Sequence, residues 1–182
     1  MEFPVTILNK IWMKILIMSE AISDSSTLIH SAGIGRLELL KEFYDKILIA
    51  PDVWKEVVEE GHGRSGALEV RKAHSLGWVK IMAPANESVV RLLKRELHAG
   101  EAETIALAIE QQPDVVFLDE SEARRVANLY GLRITGIIGI LMRAKSEGRI
   151  MSLQDELDKL RNETGFWIDD KLYNRVLQYA EE

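Results

Sequence analysis

The strongest constraint on this chain is the regular alternation of short apolar runs with helix-like segments between residues 21 and 147. Ala21-Ile22-Ser23, Lys46 to Ala50, Val79 to Met82, Val115 to Leu118 and Arg133-Ile134-Thr135 read as strands. Between them, Thr27 to Ala32, Leu37 to Phe43, Ala67 to Leu76, Ser88 to His98 and Glu120 to Tyr130 read as helices, as do the stretches opened by Pro51 and Gly100. Ile137 to Glu147 is the helix after the last strand. Proline suits a first helical turn, and Gly61, Gly77 and Gly131 stand where helices should stop. Short apolar strands separated by helices predict an α/β domain, a parallel sheet covered by helices on both faces. Residues 152–163 and 170–181 predict two further helices, joined through Gly165-Phe166-Trp167-Ile168. The expected organisation is therefore residues 1–18 as an N-terminal arm or over-extended start, 19–150 as the α/β domain, and 151–182 as a helical extension packed on it. Met13 and Met18 are alternative starts.

Composition narrows the chemistry. The 182 residues are 47 % hydrophobic and 29 % charged, enough apolar surface for a true core and against global disorder. The absence of cysteine excludes disulfides, thiolate metal sites and cysteine nucleophiles, and is compatible with a reducing cytoplasm. In residues 1–18 the apolar runs are broken by Asn9, Lys10 and Lys14, and Ile15 to Met18 falls far short of the roughly 20 residues a membrane span needs. Neither a membrane anchor nor a signal peptide is expected. The net charge of −6 is unevenly spread. Residues 121–149 carry six basic side chains, namely Arg124, Arg125, Arg133, Arg143, Lys145 and Arg149, against Glu122 and Glu147, so a local phosphate-binding face is compatible with an acidic whole. An ordinary solvated helix surface is the plainer reading of such a run.

In open α/β sheets, ligands bind beyond the carboxyl ends of the strands. Acids at those positions are Asp24 after the first strand, Glu56 in the helix after the second, Glu101 in the first turn of the helix at Gly100, and Asp119 after Val115 to Leu118. Carboxylates gathered there suit Mg²⁺ or Mn²⁺, which take hard oxygen ligands. Without a cation they would repel one another and at least one would hold a proton. Each also has a local role open to it, Asp24 and Asp119 as helix caps and Glu101 at a helix dipole. Glu103 competes with Glu101, because residues two apart on a helix point in nearly opposite directions. Glu101 lies beside the apolar face marked by Ala102, Ile105, Ala106 and Ile109, and is the preferred ligand.

The segments AISDSSTLIHSAGIGRLELL, PDVWKEVVEEG, HAGEAETIALAIE, VVFLDESEARRVANLYGLRITG and IIGILMRAKSEG, in this order, resemble PIN-domain proteins. They are most similar to a subfamily of unassigned function related to VapC toxin ribonucleases. The resemblance runs from about Ile22 to Gly148 and more weakly through GFWIDDKLYNRVL. It implies a three-layer α/β/α fold with a five-stranded parallel sheet, here with extra C-terminal helices. It also implies a metal-dependent endoribonuclease whose catalytic acids are Asp24, Glu56, Glu101 and Asp119. Asp24, Glu101 and Asp119 would hold Mg²⁺ or Mn²⁺, and Glu56 would hold a second ion or orient the attacking water. Ser26 and Thr135 match supporting polar positions, and Glu120 adds a fifth carboxylate. Arg124 and Arg125 are candidate contacts to the RNA backbone. An antitoxin partner and a homodimer are implied in the same way, the dimer through Leu28, Ile29, Leu37, Leu39 and Leu40, which read equally well as core. The third acid is Glu where the toxins usually carry Asp, and the chain is longer at both ends, which bears on the toxin role more than on metal binding.

Three rival readings bear on these residues. Gly61 to Gly66 spells G-x-G-x-x-G, but a helix precedes it where the dinucleotide fingerprint needs a strand. A phosphatase with an aspartyl nucleophile would want a second Asp where Ser26 stands. The third is a PIN-like module that binds RNA or a protein partner and cuts little.

Overall fold

The computed structural model describes residues 19–64 and 66–182; the expected N-terminal arm lies outside them. Five parallel strands, β1 (Glu20–Ser23), β2 (Lys46–Ile49), β3 (Val79–Ile81), β4 (Val115–Phe117) and β5 (Ile134–Thr135), form one sheet in the order β3-β2-β1-β4-β5. The helices are α1 (Ser25–Gly33), α2 (Glu38–Phe43), α3 (Pro51–Trp54), α4 (Ala67–Ser75), α5 (Glu87–Leu93), α6 (Ala99–Gln111), α7 (Ser121–Leu129), α8 (Ile137–Ser146), α9 (Leu153–Glu163) and α10 (Asp170–Tyr179).

Side chains alternate across a strand, and this alternation divides the core in two. Ala21, Ile47, Ile49 and Phe117 face a layer that includes Leu28, Leu40, Val53, Val70 and Leu141. Ile22, Leu48 and Val116 face the other layer, with Val90, Ile105, Leu107 and Val126. The result is a three-layer α/β/α sandwich. Leu153, Leu157 and Leu160 of α9, with Val176 and Leu177 of α10, join the first of these cores. Their spacing is that of one helix face.

Leu28, Leu37, Leu39 and Leu40 are buried inside the same core, and Ile29 packs against it partly exposed. Two elements depart from the expected pattern. The helix expected to reach His98 ends at Leu93, because the chain turns there to bury Leu97 against α6 and its neighbours. The helix opened by Pro51 changes to a π turn over Lys55–Glu59, where the Glu60 N–H reaches back to the Lys55 carbonyl at 2.8 Å. Gly61 permits that turn, since a Cβ there would lie 2.2 Å from the Val57 carbonyl oxygen. Gly66 opens α4 with φ of 99°, and the G-x-G-x-x-G stretch follows a helix, without the strand a nucleotide loop requires.

Candidate active site

The strand order itself locates the site. β1 is flanked by β2 on one side and β4 on the other, so the crossovers part in opposite directions at the carboxyl end of the β1–β4 pair. Such a switch point leaves a crevice. Asp24 directly follows β1, and its N–H donates to the Phe117 carbonyl of β4 at 3.1 Å. Asp119 follows the same end of β4, and its N–H donates to Asp24 Oδ2 at 3.3 Å. The two acids are thus placed by backbone pairing.

A cavity of about 340 Å³ opens above Asp24, with Ser25, Ser26, His30, Glu56, Glu101 and Glu120 in its wall. Asp24 and Glu101 are buried in its floor; Glu56 and Glu120 are exposed at its rim. Asp24 and Glu101 come from β1 and α6, and Glu56 from the π turn. A π turn inside a helix is a frequent companion of functional sites, and here it carries an acid to the cavity mouth. Ser25 Oγ donates to Glu56 Oε2 at 2.6 Å. Gly100 brings the start of α6 close to both, its Cα direction pointing at Glu56 Oε2 and Ser25 Oγ.

Asp119 sits behind Asp24, on the wall between this cavity and a neighbouring groove. Its Oδ2 accepts from Thr27 Oγ1 at 2.8 Å and its Oδ1 from the Ile137 N–H at 2.9 Å, at the start of α8. Gly136 makes the second contact possible, because a Cβ there would lie 2.3 Å from Asp119 Oδ1. Thr27 also donates its N–H to Asp24 Oδ1 at 2.9 Å, which makes Asp24 the N-cap of α1 as well as a site acid. One threonine therefore fixes two carboxylates.

The electrostatics of this arrangement are strained. Burial, then the charge of Asp119, pushes the Asp24 carboxyl up to about 8, against the opposing donors from Thr27 and Asp119. Burial raises Asp119, opposed by Thr27 and the Ile137 N–H. Burial also raises Glu101; the His98 N–H opposes it and Glu120 adds to it. Glu101 Oε2 accepts from the His98 N–H at 3.1 Å, but Glu101 Oε1 is buried with no hydrogen-bond partner among the described residues. An unpaired buried carboxylate oxygen costs on the order of 1–3 kcal/mol or more. Among the described residues, no three acids stand together at metal-ligating range. Asp24, Asp119, Glu56 and Glu101 each accept at least one hydrogen bond from the protein instead. By donor type the set nevertheless fits a hard divalent cation: it is all oxygen, short of positive charge, and has one buried oxygen unpaired.

The other expected residues divide clearly. Glu103 points away from the cavity, accepting from the Asp52 N–H at 3.0 Å and pairing with Lys94 at 3.2 Å. Ser26 lines the cavity, whereas Thr135 lines the groove on the far side of Asp119. Arg124 lines that groove too, and donates to the Leu118 carbonyl at 2.9 Å. Arg125 is taken up at the surface by Glu122 and Glu96. The rest of the basic run is likewise paired: Arg133 with Asp114, Arg143 with Glu147, Lys145 with Glu182, and Arg149 with Glu42. Five of the six charges thus serve ion pairs of the fold.

Sequence reasoning passed over Ser25, Thr27, His30 and Gly136. The signal for the first two was the Asp-Ser-Ser-Thr run. Ser25 Oγ reaches Glu56, Thr27 reaches both Asp24 and Asp119, and Ser26 between them lines the cavity as well.

A family model described as a PIN domain matches residues 20–182. No curated protein matches the chain. Among the described residues, no helix is long and apolar enough to cross a membrane.

Proposed function

The chain belongs to the PIN-domain family, and from that premise we propose that it is a metal-dependent endoribonuclease acting at the cavity above Asp24. The observation that carries the reading is the meeting of Asp24, Glu56, Glu101 and Glu120 from separate segments in one cavity at the topological switch point, with Asp119 directly behind. A structural role does not account for so many acids, since their mutual repulsion and burial raise Asp24 to about 8.

Asp24, Glu101 and Asp119 would hold Mg²⁺ or Mn²⁺, with Glu101 Oε1 the atom most in need of a cation. When bound, such an ion supplies charge neutralisation and a lowered pKa for water. The remaining work falls to the chain. Thr27 and the Ile137 N–H favour the charged form of Asp119. Ser25 orients Glu56, which faces the cavity as the group suited to accept a proton from the attacking water. Arg124, at the Leu118 carbonyl, would meet a phosphate of the RNA. A role as the toxin of a toxin–antitoxin pair, and a homodimeric state, follow from the same resemblance; co-purification of a small partner protein tests the first.

A second reading, a PIN-like module that binds RNA or a protein without cutting, is favoured by the lack of three converged acids among the described residues. One assay separates the two. Labelled structured and single-stranded RNAs are incubated with Mn²⁺, Mg²⁺ or EDTA, beside Asp24→Asn and Asp119→Asn. Cleavage that needs metal and is lost in both variants is the expected result. RNA left intact under every condition, with no metal-dependent change in melting temperature, overturns the nuclease reading.

A further inference from the structure

The groove on the far side of Asp119 has a volume of about 550 Å³, within the range of small-molecule sites. Asp119, Arg124, Thr135, Met142, Phe166 and Trp167 are among its walls. Trp167 is 81 % exposed, although the segment that carries it is fixed on both sides. The Phe166 N–H donates to the Leu160 carbonyl at 3.1 Å, Arg161 Nη2 donates to the Ile168 carbonyl at 2.7 Å, and the Ile168 side chain is buried. The indole is therefore held out to solvent by an anchored backbone. Phe166 packs edge-on against His30 at 4.8 Å between ring centres, and His30 lines the acidic cavity. The groove thus backs onto the cavity in two places, where Asp119 meets Asp24 and where Phe166 meets His30.

We propose, resting on the nuclease reading, that this groove is a subsite for an unpaired base of the RNA next to the scissile phosphate, with Trp167 as its stacking platform and Arg124 at the intervening phosphate. An apolar wall ending in an exposed indole suits the π-face of a base, whichever base it is. In duplex RNA those faces are covered by neighbouring pairs, so the groove selects single-stranded segments. The guanidinium of Arg124, which lines the groove with Asp119 and spends one N–H on the Leu118 carbonyl, gives the strand a cationic contact between the acids and the indole. The C-terminal extension is then part of the substrate site.

The test measures binding and cleavage separately. Binding is read by fluorescence anisotropy of labelled single strands of about ten nucleotides, and of a duplex of equal length, in an Asp24→Asn background that leaves RNA intact. Trp167→Ala is expected to weaken single-strand binding about tenfold, a value inside the range found for removing one stacking partner. Trp167→Phe should restore it to within a few-fold, with duplex binding unchanged in both. In the Asp24 enzyme, Trp167→Ala should raise KM and leave kcat nearly as it was. Unchanged single-strand affinity, an equal loss for the duplex, or no binding by the Trp167 protein overturns the subsite. In the first case, size-exclusion chromatography reads whether Trp167 seats a second copy or another protein instead. Oxidative footprinting of Trp167, with and without the single strand, tests the contact without a substitution; absence of protection counts against it. Metal-dependent cleavage indifferent to Trp167 removes the subsite and keeps the nuclease. Trp167-dependent binding without cleavage does the reverse.

Discussion

At the scale of single residues, the site is governed by how few donors serve many acids. Thr27 is fully buried and donates to both Asp24 and Asp119. Thr27→Val keeps the shape and the backbone donor but removes the hydroxyl from Asp119 Oδ2. That loss should cost about 1–3 kcal/mol, and it should move the acidic limb of the pH–rate profile to higher pH, because the Thr27 hydroxyl opposes the upward push on Asp119. Thr27→Ser should restore both. A profile that does not move in Thr27→Val removes Thr27 from the chemistry. A second expectation concerns stability in EDTA. Asp24, Asp119 and Glu101 all titrate above their ordinary values in the fold. A group with a raised folded pKa favours folding below its unfolded pKa and loses that contribution as pH rises through the folded value. The melting temperature should therefore fall from about pH 5 to pH 8 as Asp24 is forced to ionise. Mn²⁺ should restore it at pH 8 and do little at pH 5, and Asp24→Asn should flatten the decline. A flat profile for the unsubstituted protein would show that the three acids are not electrostatically strained.

Elements carry a different kind of information, and one part of it was legible in advance. Acids that close an apolar strand, such as Asp24 and Asp119, could be read because the sheet direction and the strand ends are both written locally. Glu101 could be chosen over Glu103 from the apolar face of a single helix, and Glu103 does turn away to Lys94 and Asp52. The π turn was hidden, since a wider helical turn leaves the same apolar spacing over five residues. Only Gly61 reports it, through the carbonyl that a Cβ would strike. The pairing of the basic run was only partly legible: Glu122 and Glu147 lie one turn from Arg125 and Arg143, whereas Glu96 for Arg125 and Glu42 for Arg149 lie far along the chain and meet it only in the folded state. These points give a prediction at the level of the element. Gly61→Ala should return the segment toward a regular helix and rotate Glu56 away from Ser25. Activity should drop about tenfold or more, since a small misplacement at a reacting centre has large effects, and the other acids should stay in place. If Gly61→Ala lowers stability but leaves kcat untouched, the turn is needed for packing and not for placing Glu56.

For the whole molecule, the question is whether the last two helices are an appendage or a structural layer. Leu153, Leu157, Leu160, Val176 and Leu177 are buried in the same core as β1, β2 and α1. Glu156 is nearly inaccessible; burial alone would raise it, but Arg36 of the α1–α2 connection and Lys159 outweigh that and hold it below its ordinary value. The far end is tied as well, with Glu182 accepting from the N–H groups of Leu153 and Gln154 and pairing with Lys145. Removing residues 151–182 should therefore strip one face of the core. Each large buried side chain lost contributes on the order of 1.5–3 kcal/mol, so the five together are comparable to the roughly 5–15 kcal/mol by which such domains are stable. The truncated chain should lose its cooperative melting transition, expose apolar surface to a fluorescent dye, and lose cleavage together with Trp167-dependent binding. A milder variant distinguishes layer from appendage without unfolding. Glu156→Gln leaves Arg36, itself partly exposed, facing a neutral amide, and with solvent screening of the arginine the loss should be about 1–2 kcal/mol. That should lower the melting temperature by roughly 2–8 °C for a domain of this size. A truncated chain that melts cooperatively near the temperature of the full chain would mean that the α/β layers close on their own, and the helices would then serve the groove at Trp167 alone.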